Sequence, residues 1–146
     1  MKIFAKKNNK YDTKDKTGKK NGFLVPIYNN NEINLPKNYS PKQVYLTTVK
    51  AGKIKGPHLH YKRDGFFTCI KGDVRIVIKT EGVYKSFYSG ENFEYQSIFV
   101  PKGTPAAIQN ITKSEAYLIN MPNPAWTHDM NDEFTSDFSE FNFDEF

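Results

Sequence analysis

The sequence predicts an all-β domain, and three observations support this prediction. From Gly22 to about residue 126, short apolar or alternating runs are separated by Gly, Pro, Asn and Asp, which favour turns. The runs are rich in β-branched and aromatic residues, which suit a half-buried pleated surface. No segment before residue 126 keeps a helical apolar period over about ten positions. Strands spaced by roughly 8 to 12 residues are typical of a sandwich or a barrel.

The predicted strands follow one another along the chain, each ending at a turn signal. The clearest is VRIVIK, in which Val74, Ile76 and Ile78 alternate onto one face between the turns at 71–73 and 80–82. In chain order the predicted strands are FLVPI (23–27), INLP (33–36), VYLTTV (44–49), GFFTCI (65–70), VRIVIK (74–79), VYKSFY (83–88), SIFV (97–100), AAIQNI (106–111) and EAYLINM (115–121).

Both ends of the chain differ from the β pattern. Residues 1–20 contain eight lysines against two aspartates, and we predict that residues 1–21 form a basic, flexible arm. Residues 22–126 are the predicted barrel domain. Residues 127–146 are predicted to form an acidic, aromatic tail without lysine or arginine. We expect the phenylalanines of this tail to dock on the parent domain or on a neighbouring copy.

The composition excludes several classes of function. The net charge is +5, but the only arginines are Arg63 and Arg75, and the predicted core has no basic stripe with interleaved aromatics, so nucleic-acid binding is not expected. No apolar run approaches the roughly 18 residues of a membrane span, and the N-terminus does not resemble a secretory signal. We therefore expect a cytoplasmic protein without membrane contact. The single cysteine, Cys69, lies in an apolar run and is expected to be a buried thiol.

Two of the three histidines lie one residue apart in KIKGPHLHYKRDG, residues 53–65. Successive side chains of a strand point to opposite faces, so His58 and His60 point the same way. If that face is the interior of a barrel, both imidazoles enter one cavity. Such a pair suits either a metal site or a proton-transfer site.

The histidine stretch resembles the first motif of the cupin superfamily. Gly52 is followed by five residues and then by His58-x-His60, and Gly72 matches the end of the motif. The segment PKGTPAAIQN (101–110) resembles the second cupin motif. The resemblance implies a cupin-type jelly-roll barrel of short antiparallel strands, with irregular arms at both ends.

The chain departs from the metal-binding version of these motifs at two positions. The glutamate of the first motif falls on Gly65, and the histidine of the second falls on Ala106. Two histidines alone are a poor site for iron, manganese or zinc, so we predict no bound metal and no cofactor. A metal-dependent cupin such as a dioxygenase stays an alternative, with Asp64 or His128 as the third ligand.

A closer resemblance is to the metal-independent cupins that act on nucleotide-linked 4-keto sugars, chiefly the dTDP-4-dehydrorhamnose 3,5-epimerases. It is carried by IKGPHLH (54–60), CIKGDVRIVI (69–78), IFVPKGTPAAIQNI (98–111) and EAYLINMPNPAW (115–126). It implies epimerisation at C3, C5 or both of a nucleotide-linked 4-keto-6-deoxy sugar, in deoxysugar or cell-surface polysaccharide biosynthesis. The 3,4-ketoisomerases on the same substrates are the first alternative, and a binding module without catalysis is another.

This resemblance also implies roles for individual residues. His58 occupies the position of the base, and Tyr117 falls where the family has its acid. If the chain resembles the 3,4-ketoisomerases instead, the resemblance implies that His60 takes part in catalysis as well. Lys55 stands where the epimerases have an arginine that contacts the substrate.

Other substrate contacts are predicted from residue type. Arg63 and Arg75 suit the diphosphate because a guanidinium binds phosphate with two parallel hydrogen bonds. Trp126 suits stacking on the base, and Gln109 and Asn110 suit hydrogen bonding in the cavity. The partner is expected to be a dTDP- or GDP-linked sugar, and the resemblance implies a homodimer.

Overall fold

The computed structural model describes residues 2–31 and 39–145, which contain twelve strands and no helix. All pairings between strands are antiparallel, so the all-β prediction is confirmed. The strands are β1 Phe4–Lys6, β2 Tyr11–Lys14, β3 Lys20–Leu24, β4 Tyr45–Val49, β5 Ile54–His60, β6 Gly65–Lys71, β7 Asp73–Thr80, β8 Val83–Gly90, β9 Ser97–Val100, β10 Ala106–Asn110, β11 Ala116–Asn120 and β12 Glu133–Thr135.

Two five-stranded sheets face each other across the main core. One has the order β1-β9-β6-β11-β4 and the other the order β12-β5-β10-β7-β8, while β2 and β3 pair as a separate hairpin. The core contains inward side chains from both sheets, including the alternating Val74, Ile76 and Ile78. On the first sheet Cys69 and Leu118 are fully buried, as expected for alternate residues of half-covered strands. A cavity at one end of this core is the candidate site.

The N-terminal segment contains two strands that the sequence pattern does not reveal, β1 and β2, whereas β3 overlaps the predicted strand FLVPI (23–27). β1 adds to the edge of the first sheet beside β9, and β2 and β3 form the lysine-rich hairpin within residues 11–24. Strands of three or four residues give too short an alternation to be recognised in a sequence. The predicted strand INLP (33–36) lies outside the described residues.

The C-terminal segment runs along the outer face of the second sheet. There β12 pairs with β5, with Glu133 opposite His60. Further on, the side chain of Phe138 is buried against Val77 and Ala107, so that β7 is covered on both faces. We call residues 127–145 the C-terminal strap. Among the described residues, none belongs to a helix long and apolar enough to cross a membrane.

A bulge in β5 aligns the side chains that enter the cavity. On β10, Ala106 lies opposite His58 and Ile108 lies opposite Lys55, so β5 holds one residue more than its partner over this stretch. Lys55 and His58 consequently both face the cavity although they are three residues apart. Gly56 permits the bulge: its φ is +90°, and an added Cβ would lie 2.8 Å from the backbone nitrogen of His58.

Candidate active site

The candidate site is a cavity of about 150 Å³ between the two sheets. Its deep part is apolar and is formed by core residues such as Ile76, Val100 and Ile108. The second sheet contributes Lys55, His58, His60 and Glu133, while the first contributes Tyr45, Thr47, Phe67 and Asn120, and Arg63 and Asp64 come from the loop between β5 and β6. An apolar pocket with a few convergent polar groups is typical of a small-molecule site.

Two histidines and a glutamate form the main polar cluster of the cavity. Nε2 of His60 lies 2.9 Å from Oε1 of Glu133, and Nδ1 of His58 lies 3.3 Å from the same oxygen. Both histidine side chains are about one-third exposed, at 36% and 27%, so solvent and substrate can reach them. The three groups meet because β12 pairs with β5 in a register that places Glu133 beside the histidines.

Burial and hydrogen bonding shift the protonation equilibria of this cluster. Burial lowers the pKa of His60 below its ordinary value, and the hydrogen bond to Glu133 offsets this only in part. Burial raises the pKa of Glu133, but the hydrogen bond from His60 and the charges of His58, His60 and Arg63 outweigh it, so the pKa is lowered. At neutral pH the cluster therefore holds a carboxylate and a neutral His60 imidazole.

The shared carboxylate determines which imidazole nitrogens can accept a proton. A carboxylate only accepts hydrogen bonds, so Nε2 of His60, which is hydrogen-bonded to Glu133, carries the hydrogen. Nδ1 of His60 is then left with its lone pair. His60 thus has the tautomer of a general base, held in place by a carboxylate.

The same three side chains have the composition of a metal site. Their ligand atoms all lie within 4.8 Å of one another, and two histidines with one carboxylate are the ligand set of non-haem iron oxygenases. The two positions at which the sequence departs from the metal-binding cupins, Gly65 and Ala106, both line the cavity. Neither glycine nor alanine offers a ligand atom, and a Cβ added at Gly65 would lie 2.4 Å from the ring of Phe67.

On the facing wall, Tyr45 is the centre of a second polar group. Its hydroxyl accepts hydrogen bonds from Nδ2 of Asn120 at 2.8 Å and from Nη1 of Arg63 at 3.3 Å. The Arg63 side chain is only 9% exposed, and its Nε lies 3.4 Å from Oδ2 of Asp132, which is also buried. Asp132 directly precedes Glu133, so the C-terminal strap contributes to both walls.

The structure brings four of the nine predicted site residues into the cavity: Lys55, His58, His60 and Arg63. Nζ of Lys55 donates to Oγ1 of Thr47 at 2.5 Å and is exposed, which places it at the rim. The two residues considered as a third metal ligand are not part of the histidine cluster. Oδ1 of Asp64 accepts from the backbone N–H of Lys102, and His128 lies against Trp126.

Tyr117, the acid that the family resemblance implies, does not line the cavity. In β11 the side chains of Leu118 and Asn120 point inward, so the alternation turns Tyr117 to the opposite face of the sheet. There Nζ of Lys71 lies 5.5 Å from the centroid of its ring. The structure therefore separates Tyr117 from the histidines.

Arg75, Gln109 and Asn110 also lie away from the cavity. Arg75 and Gln109 donate to the backbone oxygen of Phe143, at 2.9 and 2.8 Å, and thereby hold the C-terminal strap against the second sheet. Asn110 is buried and accepts from Thr112 N–H, so it stabilises the turn after β10.

Trp126 is not among the residues that line the cavity, but it lies close to them. Its indole is 41% exposed and packs edge-on against the ring of Tyr45, with 6.3 Å between centroids. It is therefore next to the cavity and accessible to a flat ligand.

Sequence reasoning missed Glu133, Tyr45 and Asn120. Glu133 is 73 residues from His60 in an acidic segment, and nothing in its local pattern distinguishes it from its neighbours. Tyr45 and Asn120 lie at alternating, inward positions of predicted strands and pair directly with each other across β4 and β11. A correct inside-outside assignment of these two strands would have found them.

Comparisons with known proteins agree with this architecture. The family model described as "FdtA: WxcM-like, C-terminal" matches residues 7–143. No curated protein matches the chain.

Three solved structures illustrate the similarity of fold. A dTDP sugar isomerase from Desulfovibrio desulfuricans G20 is similar with a TM-score of 0.74 and 11% identity, over 92% of this chain and 83% of that one. The sugar 3,4-ketoisomerase QdtA from Thermoanaerobacterium thermosaccharolyticum, in complex with TDP, has a TM-score of 0.65 and 21% identity, over 90% of this chain and 86% of that one. A dTDP-4-dehydrorhamnose 3,5-epimerase from Elizabethkingia anophelis NUHP1 has a TM-score of 0.70 and 15% identity, over 94% of this chain and 76% of that one. These similarities confirm the predicted cupin-type jelly-roll fold.

Proposed function

Because this chain belongs to the family described as FdtA: WxcM-like, C-terminal, we propose that it is an isomerase of nucleotide-linked 4-keto-6-deoxy sugars. The structures to which its fold is similar include a 3,4-ketoisomerase with bound TDP and a 3,5-epimerase of a dTDP-linked keto sugar. Deoxysugar or cell-surface polysaccharide biosynthesis is the setting in which such an activity is used.

The observation that carries the proposal is the pair of carboxylate-held imidazoles in one cavity. A ketone at C4 of a hexose acidifies the hydrogens on the adjacent carbons, and a neutral imidazole is a suitable base for them at neutral pH. His58 and His60 both line the cavity because they share a strand face, and Oε1 of Glu133 lies within 3.3 Å of a ring nitrogen of each. The imidazoles on one wall of the cavity can therefore both remove the proton and return it.

The geometry supports 3,4-ketoisomerisation best. In that reaction the hydrogen on C3 moves to C4 and the hydroxyl proton moves from O3 to O4, which one or two bases on a single face can perform. Both histidines lie on one wall, and Tyr117 lies outside the cavity. Epimerisation at C3 or C5 is the second candidate, because Tyr45 on the facing wall could return a proton from the other side.

The size of the cavity indicates how the substrate is placed. A volume of about 150 Å³ is below the range of roughly 300–1,000 Å³ that encloses a drug-sized ligand. We propose that the sugar enters the cavity and that the nucleotide lies outside it. Lys55 at the rim is suited to the diphosphate, and the exposed indole of Trp126 is suited to the base of a dTDP- or GDP-linked sugar.

A metal-dependent reaction is the alternative that His58, His60 and Glu133 themselves suggest. An ion bound to both imidazoles would occupy the lone pairs that the base needs. We propose that the enzyme works without a cofactor. Elemental analysis of the purified protein, with activity measured before and after chelation, tests this: stoichiometric metal whose removal abolishes turnover would overturn cofactor independence.

The activity is tested by incubating the protein in deuterated water with dTDP-, GDP- and UDP-linked 4-keto-6-deoxy sugars. NMR is used to identify the carbon that takes up deuterium and the carbon that carries the ketone. A 3-keto product labelled at C4 is expected. A retained 4-ketone with inversion at C3 or C5 establishes the epimerase instead, and binding with neither deuterium uptake nor movement of the ketone reduces the protein to a binding module.

We further propose a homodimer located in the cytoplasm. Exposed apolar side chains support self-association, among them Val44 at 64% and Leu46 at 57% exposure on and beside the edge strand β4. The lysine-rich hairpin and the acidic strap carry opposite charges that suit contacts between two copies.

A further inference from the structure

The register of β12 decides whether Glu133 stands beside the histidines, but the side chains of β12 do not fix that register. All three of its residues are exposed. Backbone hydrogen bonds to β5 can form in any register, so a short, exposed edge strand is free to slip along its partner. A shift by one residue would place Asp132 or Phe134, instead of Glu133, opposite His60. The register must therefore be fixed by side chains outside β12.

Asp132, the residue directly before β12, is buried. Of the acidic residues that the structure describes, only Asp132 and Asp73 are buried, at 2% and 7% exposure. A carboxylate is costly to bury unless a cation lies close to it. The guanidinium of Arg63 provides that cation, with its Nε 3.4 Å from Oδ2 of Asp132. These two atoms have no hydrogen-bond partner among the described residues, so charge and packing hold the pair together.

Arg63 is fixed from the opposite wall of the cavity. Its Nη1 donates to the hydroxyl oxygen of Tyr45 at 3.3 Å, and Nδ2 of Asn120 donates to the same oxygen at 2.8 Å. Tyr45 lies on β4 and Asn120 on β11, both in the first sheet. The ion pair therefore joins the first sheet to the C-terminal strap. If β12 slipped, Asp132 would leave Arg63, and both groups would become unpaired buried charges.

Tyr61 strengthens the pairing at the same place without selecting a register. Its backbone N–H donates to the carbonyl oxygen of Asp132 at 3.1 Å, and its hydroxyl donates to the carbonyl oxygen of Asn131 at 3.0 Å. Its ring stacks on the exposed ring of Phe134, with 5.2 Å between centroids. Every residue offers a backbone carbonyl, so these hydrogen bonds could form equally well in a slipped register. The contact between Asp132 and Arg63 is specific to one register.

We propose that Asp132 is a positioning residue that holds Glu133 at the two histidines through its ion pair with Arg63. Asp132 is not among the residues that line the cavity. It acts through Glu133, whose Oε1 is hydrogen-bonded to Nε2 of His60 at 2.9 Å. The consequences of this inference for turnover rest on the proposed function, whereas its consequences for the His60 ring do not.

The variant Asp132→Asn tests the proposal, because it removes the charge and keeps the size of the side chain. We expect kcat to fall at least about tenfold, since a small misplacement of a catalytic group costs rate steeply, and KM to stay within a few-fold. Asp129→Asn, at an exposed position of the same strap, is the matched control and should keep the wild-type kcat. A raised KM at unchanged kcat would show that Asp132 acts on substrate binding through Arg63, which overturns the proposal.

A double variant separates positioning from an independent contribution. If Asp132 acts by placing the Glu133 carboxylate, its charge has no effect on turnover once that carboxylate is gone. The kcat of the protein with both Asp132→Asn and Glu133→Gln is therefore expected to equal that of Glu133→Gln within about twofold. Losses of the two single variants that multiply in the double variant contradict the proposal.

The ring of His60 provides a readout in the protein without substrate. NMR chemical shifts of its ring nitrogens distinguish the nitrogen that carries the hydrogen from the one with the lone pair. At neutral pH the wild-type protein and Asp129→Asn should show a fixed tautomer with the hydrogen on Nε2. Asp132→Asn should show a mixture of tautomers, because Glu133 no longer holds that hydrogen. A fixed tautomer in Asp132→Asn overturns the proposal.

The outcomes separate this inference from the proposed function. If the wild-type protein turns over and Asp132→Asn is unchanged in kcat and in the His60 tautomer, Asp132 has no positioning role and the isomerase activity stands. If the wild-type protein acts on no nucleotide-linked keto sugar, the proposed function fails, and the His60 tautomer alone decides the role of Asp132. If circular dichroism shows that Asp132→Asn and Asp132→Ala are both unfolded, Asp132 supports the fold as a whole, and the proposal is overturned.

Discussion

At the scale of single residues, the site depends on one carboxylate shared by two imidazoles. Oε1 of Glu133 is within 3.3 Å of a ring nitrogen of both His58 and His60, and its hydrogen bond orients the ring of His60. Burial lowers the pKa of His60, so this imidazole stays neutral below the pH at which a free histidine becomes protonated. The cluster therefore holds a neutral imidazole beside a carboxylate, which is the arrangement of a general base.

Replacing Glu133 by glutamine is expected to slow the reaction and to change its pH dependence. The charge and hydrogen bond of Glu133 raise the pKa of His60 against the lowering by burial and by Arg63, while Asp132 adds a smaller raising effect. Loss of the charge of Glu133 and of its hydrogen bond lowers the pKa of His60 further. The acid limb of the kcat/KM profile should move to lower pH, and kcat should fall at least about tenfold because the rings lose their orientation.

The pH profile of Glu133→Gln is compared with that of Glu94→Gln. Glu94 forms an exposed ion pair with Lys7 and is not among the cavity-lining residues. A Glu133→Gln profile that coincides with the wild-type profile, or an acid limb that moves to higher pH, would show that the carboxylate does not act on His60.

At the scale of elements, a bulge and a strap assemble the site from distant parts of the chain. The bulge at Gly56 turns Lys55 and His58 to the same side of β5. The strap adds β12 to the edge of the same sheet and supplies Asp132 and Glu133. Neither element is needed to close the main core, so both serve mainly to place side chains in the cavity.

Gly56→Ala is expected to damage the site more than Gly52→Ala. Both glycines have positive φ, +90° and +66°, so an alanine costs about 1–2 kcal/mol of backbone strain at either position. Only at Gly56 would the Cβ also meet backbone atoms, at 2.8 and 2.9 Å. Overpacking adds about 1–3 kcal/mol there. Chemical denaturation measures both losses, and equal losses would contradict this account of the bulge.

Phe138→Ala is expected to release the C-terminal strap from the second sheet. Phe138 is buried against Val77 and Ala107 and has an edge contact with Tyr84. Hydrogen exchange should show lost protection at residues 133–135 with protection of β7 retained, and turnover should fall because Glu133 leaves the histidines. Phe134→Ala, which removes a 56% exposed ring, should reduce protection at residues 133–135 and turnover by less than Phe138→Ala does. Unchanged protection in Phe138→Ala would show that the strap is held elsewhere.

At the scale of the whole molecule, the sequence predicted the architecture better than the site. The nine strands from β3 to β11 overlap predicted runs or the histidine stretch, because most of them contribute to the core and are rich in apolar, β-branched and aromatic residues. The shared face of His58 and His60 follows from the period of a strand. The position of Glu133 could not be predicted, because it depends on a three-residue edge strand in a polar segment. Family resemblance does not determine on which face of β11 a residue lies, and Tyr117 lies on the face away from the cavity.

The proposed dimer is a property of the whole molecule and is tested by its mass. Light scattering at moderate salt is expected to give about twice the 16.9 kDa of one chain. If contacts between the basic hairpin and the acidic strap contribute, high salt should weaken the association, because exposed charges are screened. A monomer at every concentration tested would exclude the dimer.

The most direct test of the account is the exchange of solvent deuterium into a bound keto sugar by His58→Asn and His60→Asn, each compared with the wild-type protein. The account predicts that the carbon-bound label is lost, or falls by at least about 10²-fold, in one or both variants. Affinity for the nucleotide sugar should stay within a few-fold of the wild-type value. Wild-type exchange in both variants would contradict the claim that this histidine pair moves the proton.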